Sequence, residues 1–495
     1  MNKYYLAIFS NVLFFGINTL FFLLITPIAL KVMGDELYGL WAIINAISIF
    51  SSVGTLGMSN VVNKYASEKG EFSIDIGAIH TTGILVLIPM AVLIAGILIL
   101  SRSWISSQID TTAVYRLQFE QAILITAISL LPQFLVKVPQ GYLLSQLRNN
   151  LMRLVESGTN IAFWIGSVLV ALATKNLVLI AVWALIVQIA SGIIYFGIIA
   201  REGVLKWQYN RRAMRSMLDF SVFSFIESVA ISLYQLIDRV IVGLTLGPAA
   251  AGVYSVGSSV GTRISMVAGQ ISDVMVPYAS LKGSLQEYPK LLDVYRLLNR
   301  FFSLFLALLS SLLILWMKEI LAIWISPDYS AVYYQFFCVM ILAYSAISLA
   351  RPGLQTLDGI GKIRISALVY LANSLIMLVG VYVLSVKYGL LGAGLANLLM
   401  LGLLLLNAVA YKILSGTVAW KTLLTDLALG LILPGMAYLV ILVSNDAMLR
   451  ILVSILILVL IVYLSLQDQQ LMAQLRLLSS QVTQRAYQKN GKGAG

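Results

Sequence analysis

Apolar stretches of about 20 residues recur along the whole of this 495-residue chain, and they fix its solvent. About 20 helical residues rise roughly 30 Å, the thickness of a bilayer's hydrocarbon core. Hydrophobic residues make up 60% of the chain and charged residues 11%, against about 45–50% and about 25% in soluble domains. A water-soluble globule has no interior large enough to hide that apolar surface, so lipid must cover it. Period-2 alternation is missing, which argues against a membrane barrel. Backbone groups in lipid must bond within their own segment, which leaves helices. The sequence therefore predicts an all-α integral membrane protein of about 14 transmembrane helices.

The spans read as 5–32, 38–62, 78–100, 117–138, 156–173, 177–200, 217–246, 250–277, 299–325, 331–350, 365–386, 389–411, 424–444 and 449–466. Gly34-Asp35-Glu36, Gly247-Pro248 and Ser326-Pro327-Asp328 supply the breaks. The stretch from Tyr4 to Val32 is too long for a cleavable signal, and no small-residue cleavage site follows it. With the N-terminus placed in the cytoplasm, 24 of the Lys and Arg residues fall inside, 7 outside and 2 (Arg239, Arg263) within spans. That bias is the positive-inside pattern, and it puts both termini in the cytoplasm. The net charge of +12 follows from these loops facing anionic lipid, so nucleic acid is not an expected partner.

The sequence is also duplicated. Tyr-Ala-Ser-Glu-Lys-Gly at 65–70 returns as Tyr-Ala-Ser-Leu-Lys-Gly at 278–283, an offset of 213. The same offset pairs Gly34 with Gly247, Gly39 with Gly252, Ser59 with Ser272, Pro139 with Pro352, Leu144 with Leu357 and Asn160 with Asn373. Six spans separate the copies, so both have the same orientation, with a pseudo-two-fold axis expected along the membrane normal. The expected organisation is a six-helix lobe over 1–200, a cytoplasmic interfacial linker helix over 201–216 and a second six-helix lobe over 217–411. Two extra transmembrane helices over 412–466 and a cytoplasmic tail over 467–495 follow. The linker interleaves Arg201, Lys206, Arg211, Arg212 and Arg215 with Val204, Leu205, Trp207 and Met214, as an interfacial segment does.

The run Pro27-Ile-Ala-Leu-Lys-Val-Met-Gly34-Asp-Glu-Leu-Tyr38-Gly39-Leu-Trp41 resembles the first-loop signature of polysaccharide (O-antigen-type) repeat-unit flippases. These belong to the multidrug/oligosaccharidyl-lipid/polysaccharide (MOP) exporter superfamily. Gly54-Thr-Leu-Gly57-Met-Ser-Asn60 with Lys64-Tyr65-Ala66, Leu357-Asp-Gly-Ile-Gly361-Lys362 and Leu390-Leu-Gly392-Ala393-Gly394-Leu-Ala396 fit the same pattern. The resemblance covers about 5–466. It implies flipping of an undecaprenyl-diphosphate-linked oligosaccharide from the cytoplasmic to the outer leaflet of a bacterial inner membrane, by alternating access of two lobes. Membrane lipids, a coupling ion (Na+ or H+) and polysaccharide polymerase or assembly proteins are the further partners compatible with it. Two relatives in the superfamily offer alternatives: a cation-coupled multidrug or metabolite exporter and a peptidoglycan lipid-precursor flippase. The exporter is disfavoured because span 1 has no carboxylate before Asp35. The precursor flippase would carry basic cavity residues in both lobes.

Ionisable residues within spans are costly in lipid and become site candidates. Glu227, Asp238 and Arg239 lie in span 7 and Arg263 in span 8. Arginine's planar fork suits diphosphate oxygens. The structural alternative is an ion pair of Arg263 with Asp238 or Glu227, and both readings stand. Arg239 lies nearer the outer end and has the option of snorkelling. Asn45, Ser48 and Ser52 form a polar stripe in span 2 that either lines a hydrated glycan cleft or packs helices through small polar residues. Arg148, Arg153 and Arg351 sit at the cytoplasmic mouth, as diphosphate capture groups or as ordinary topogenic charge. Lys31 and Lys137 read as snorkelling residues near span ends.

The single Cys338 and single His80 leave no disulfide and no histidine-rich metal set. No P-loop occurs, so neither cofactor nor metal is expected. The longest outside loop, 101–116, carries only Arg102, Asp110 and Arg116 as charged residues, too little for a catalytic domain. The chain is expected to be a transporter and not an enzyme.

Overall fold

The computed structural model describes residues 2–67, 75–146, 148–218, 237–272, 275–444 and 446–467. Every regular element among them is a helix. In order they are α1 (Asn2–Ser51), α2 (Met58–Ser67), α3 (Ile76–Ser107), α4 (Ala113–Leu135), α5 (Lys137–Ser145), α6 (Asn149–Thr174) and α7 (Leu177–Arg201). A helix α8 occupies 211–218. The chain continues through α9 (Asp238–Leu246), α10 (Pro248–Ser272), α11 (Met275–Ser284), α12 (Tyr288–Leu315), α13 (Met317–Trp324), α14 (Pro327–Ser348) and α15 (Arg351–Gly359). It ends in α16 (Ile363–Ala396), α17 (Leu405–Ser415), α18 (Trp420–Val443) and α19 (Ala447–Gln467).

Ten helical segments among the described residues are long and apolar enough to cross a membrane. Two of them, Leu13–Ser67 and Ile363–Ser415, run 55 and 53 residues, enough for two crossings each. Their helices break at Gly34 and Gly389. The seventh expected span falls largely within 219–236, outside the described residues.

The 213-residue offset reappears in the helices. Gly34 adopts φ 73°, ψ 170° and Gly247 φ 87°, ψ 172°. Both turn the chain with a positive φ that only glycine takes without steric cost. α4 and α5 are separated at Val136, as α14 and α15 are separated at Leu349–Ala350. α2 packs on α5 in the first repeat, and α11 packs on α15 in the second. The close approaches differ in detail. A Cβ at Gly141 would meet the Ser59 carbonyl oxygen at 2.4 Å, and one at Gly359 would meet the Val276 carbonyl oxygen at 2.7 Å.

By contact density the chain forms two compact units, Met1–Ser259 with Tyr370–Ala396, and Val260–Val369 with Asn397–Gly495. The first unit thus includes the beginning of the second repeat. α1 packs on α9, and a Cβ on Gly39 would lie 1.7 Å from the Pro248 carbonyl oxygen. Its repeat partner Gly252 has the Gly39 backbone nitrogen and Cα at 3.2 Å from its own ideal Cβ position. Two helix ends meet there backbone to backbone, which small residues permit.

In the second unit, α18 and α19 dock on α12. Arg300 of α12 pairs with the buried Asp426 of α18 at 3.2 Å. Arg450 of α19 pairs with Glu319 at 2.6 Å and lies over the Trp316 ring. Removing one member of a buried pair strands the other, at a cost of about 3–5 kcal/mol. Arg300→Leu is therefore expected to lower the thermal unfolding temperature of the detergent-solubilised protein, and Arg300→Leu with Asp426→Leu to recover part of the loss. Equal melting of Arg300→Leu and the parent would show the pair to be idle.

The connection between repeats corrects the sequence reading. It is not one helix over 201–216. Gly203, at φ 68°, turns the chain after α7, and 204–210 has no regular structure. Thr81 on α3 holds that stretch: its hydroxyl donates to the Lys206 carbonyl at 3.2 Å and accepts from the Gln208 amide at 2.9 Å. Asn210 then caps α8 by accepting from the Arg212 and Ala213 amides at 2.9 and 3.2 Å. Backbone bonding to Thr81 and a strong N-cap together outcompete a continuous helix.

Candidate functional site

Five helices of the first repeat contribute polar residues at helical spacing. α1 contributes Asn45 and Ser48, α4 Thr126, Ser129 and Gln133, and α5 Lys137 and Gln140. α6 contributes Glu156, Thr159 and Asn160, and α7 Gln188, Ser191 and Tyr195. The stripes face one cavity of about 310 Å³ inside the first unit. Trp41, Phe163, Leu177 and Ile180 complete its walls. α1 packs on α4 and α6, and α7 packs on both, so the convergence follows from the packing.

The polar groups are only partly used by the protein. Ser48 donates to Gln133 Oε1 at 3.5 Å. Lys137 Nζ donates to Gln140 Oε1 at 3.2 Å, Gln140 Nε2 donates to the Tyr195 hydroxyl at 3.5 Å, and that hydroxyl donates to the Met152 carbonyl at 3.0 Å. Glu156 accepts from Arg153 at 2.8 Å. Asn160 donates to Asn18 at 3.0 Å. The side chains of Asn45, Gln188 and Ser191 make no hydrogen bond among the described residues, and all three line the cavity. An ammonium and several amides with spare capacity line this space, and buried polar groups of that kind call for partners.

The second repeat provides an internal control. At the 213 offset Gln133 becomes Ala346, Lys137 becomes Ala350, Gln140 becomes Gly353 and Glu156 becomes Val369. The second repeat thus lacks these polar groups at the matching positions.

The structure places the residues singled out from sequence as follows. Asn45 and Ser48 line the cavity. After Ser51, α1 gives way to a tighter 3-10 turn, Ser52–Thr55. Asp238 is fully buried in the first unit and accepts from the Arg239 amide at 2.8 Å and the Tyr254 hydroxyl at 2.9 Å. Arg239 follows it on α9, and its Nε has no hydrogen-bond partner among the described residues. Arg263 is half-buried on α10, within the second unit. Glu227 lies outside the described residues. Arg148 is paired with Glu202, which also accepts from the Tyr142 hydroxyl at 3.1 Å. Arg153 is paired with Glu156. Arg351 opens α15, and its Nε has no hydrogen-bond partner among the described residues.

Sequence reasoning passed over Gln133, Gln140, Glu156 and Gln188 and read Lys137 as a snorkelling residue. Lys137 lines the cavity with them. The signal available was the seven-residue spacing of Thr126, Gln133 and Gln140, which puts three polar groups on one helical face. No group of three or more His, Cys, Asp or Glu side chains able to hold a metal occurs among the described residues.

A family model described as "Polysaccharide biosynthesis protein" matches residues 7–281. Among solved structures the chain is similar to the lipid II flippase MurJ in an inward closed conformation, with a TM-score of 0.67 and 16% identity, over 92% of this chain and 99% of that one. It is also similar to an inward-facing multidrug resistance MATE family transporter of the MOP superfamily, with a TM-score of 0.60 and 11% identity, over 86% and 96%. A MOP superfamily transporter from Pyrococcus furiosus gives 0.56 and 13%, over 86% and 96%. At such identities the likeness shows the fold, which is that of the MOP transporters. A search of curated proteins returns no match.

Proposed function

The chain belongs to the polysaccharide biosynthesis protein family, and from that premise we propose that it flips an undecaprenyl-diphosphate-linked oligosaccharide from the cytoplasmic to the outer leaflet of a bacterial inner membrane. The observation that carries the reading is the polar cavity of the first repeat, set in a duplicated, multi-pass helical fold. A long glycan must cross hydrocarbon without leaving its hydroxyls unsatisfied, and amide-lined hydrated space serves that need. The two six-helix repeats act as lobes that open alternately to either face. Asn45 and Ser48 contribute hydroxyl-binding groups to the glycan path. Arg263 and Arg239 supply cationic forks for the diphosphate, with Asp238 and Glu227 as charge partners and Arg148, Arg153 and Arg351 near the cytoplasmic mouth. Bilayer lipids surround the chain, polysaccharide polymerase and assembly proteins receive its product, and a Na+ or H+ gradient drives the cycle.

Proteoliposomes loaded with an undecaprenyl-diphosphate oligosaccharide test this directly. An impermeant probe of the sugar is expected to find glycan on the far leaflet only when the protein is present. Transport of cationic dyes with no movement of the lipid-linked glycan would instead place the chain among the exporters of the superfamily.

A further inference from the structure

We propose that the first-repeat cavity is a binding site for an acidic sugar residue, whose carboxylate is taken by Lys137 and whose ring hydroxyls are taken by the amides around it. This deepens the saccharide-flippase reading and rests on it for the choice of a sugar as ligand. The charge balance comes first. Lys137 has three N–H donors, and among the described residues one of them is used, by Gln140 Oε1 at 3.2 Å. The neighbouring carboxylate, Glu156, is engaged by Arg153 at 2.8 Å. The formal charges of Lys137, Arg153 and Glu156 sum to +1. A cation within a membrane-embedded bundle is costly until an anion meets it.

The rest of the lining selects which anion. Asn45 and Gln188 each present a donor and an acceptor that the protein leaves unused among the described residues. Sugar hydroxyls donate and accept, so they match such amides. A phosphate, which only accepts, would leave the amide oxygens and Glu156 opposed to it. Trp41 and Phe163 stack on each other and add an apolar wall for the carbon face of a ring. The volume, about 310 Å³, lies at the low end of ligand pockets, ~300–1,000 Å³, and suits one residue of a glycan and not a whole repeat unit. The second repeat, with Ala350 at the position of Lys137, shows that the lysine is not demanded by the scaffold.

The test is saturation binding to the purified full-length protein in detergent, followed by calorimetry, with D-glucuronate, D-glucose and acetate as probes. Glucuronate is expected to bind best. A charge-assisted hydrogen bond confers a preference of roughly tenfold or more, so Lys137→Met should erase the preference over glucose and Lys137→Arg should keep it. If Lys137→Met fails to fold, Lys137→Gln serves, because it keeps polarity and removes the charge. Gln188→Leu should weaken glucuronate and glucose alike. Equal binding of glucuronate and glucose, an unchanged preference in the folded Lys137 variants, or acetate binding as well as glucuronate would each overturn the proposal, as would no binding at all. Failure of the flippase reading looks different. Lys137-dependent glucuronate binding without any movement of lipid-linked glycan in proteoliposomes would remove the reading and leave the acidic-sugar site standing.

Discussion

Gly39→Ala is expected to cripple translocation while Gly96→Ala leaves it unchanged. Both substitutions add one methyl group to a helix in the first repeat. At Gly96 nothing lies within 4 Å of the new Cβ. At Gly39 the Cβ would stand 1.7 Å from the Pro248 carbonyl oxygen and 2.3 Å from its carbon. A backbone carbonyl at the start of a helix has no rotamer to swing away, so α1 and α10 must separate. Overpacking of this kind costs about 1–3 kcal/mol, and occasionally more. Charged to one of two alternating states, that shifts their equilibrium roughly 5- to 150-fold. With the N-terminus in the cytoplasm, as the charge bias predicts, this contact would face outward, and the expectation is that it seals the proposed path there. A transporter that cannot seal one face leaks or stalls, so far-leaflet glycan should fall by a comparable factor. Parent-like translocation by Gly39→Ala would show that the backbone contact is no gate.

Arg263→Ala is expected to abolish translocation in a protein that still inserts and folds. The arginine sits half-buried on α10, in a segment otherwise suited to lipid or helix packing. Truncating one side of a desolvated, hydrogen-bonded charge pair costs about 2–5 kcal/mol, which is about 30-fold or more in affinity. Lysine keeps the charge and loses the planar fork. Arg263→Lys should therefore recover translocation only in part. Monodisperse elution in detergent checks folding, and the far-leaflet glycan assay checks function. Full activity in a well-folded Arg263→Ala protein would take the diphosphate role away from this residue.

Much of the fold was legible from the sequence because the bilayer leaves few options. Apolar length gave the spans, the lysine and arginine bias gave an orientation, and the 213-residue offset gave the duplication. Gly34 and Gly247 then adopt nearly the same backbone conformation, as a shared ancestry requires. The local departures come from competition that hydropathy does not record. Thr81 is remote in sequence from Lys206 and Gln208, yet its two hydrogen bonds tie down 204–210 outside any helix. Leu56 and Gly57, both at positive φ, turn the chain after the 3-10 segment Ser52–Thr55, a break that the spacing of the polar residues does not announce.

The site was less legible than the fold. Asn45 and Ser48 were found because they share one helix. Lys137, Glu156 and Gln188 come from three others, and only tertiary packing brings their stripes to one space. A lysine near the end of a span looks the same in sequence whether it reaches for head groups or inward. Its direction is decided by Gln140, one turn further on, and by the neighbours that the fold supplies.

The contrast between Lys137 and Ala350 also bears on how the two halves differ. At matching positions the first repeat has a lysine and the second an alanine. The glycines at the helix breaks stand in both repeats, so the two halves turn alike there. They differ in chemistry, since Gln133, Lys137 and Gln140 stand in the first half and Ala346, Ala350 and Gly353 in the second. They are no longer interchangeable: a tandem of two first halves would be a different machine from this one, and a tandem of two second halves would inherit the frame without the tool.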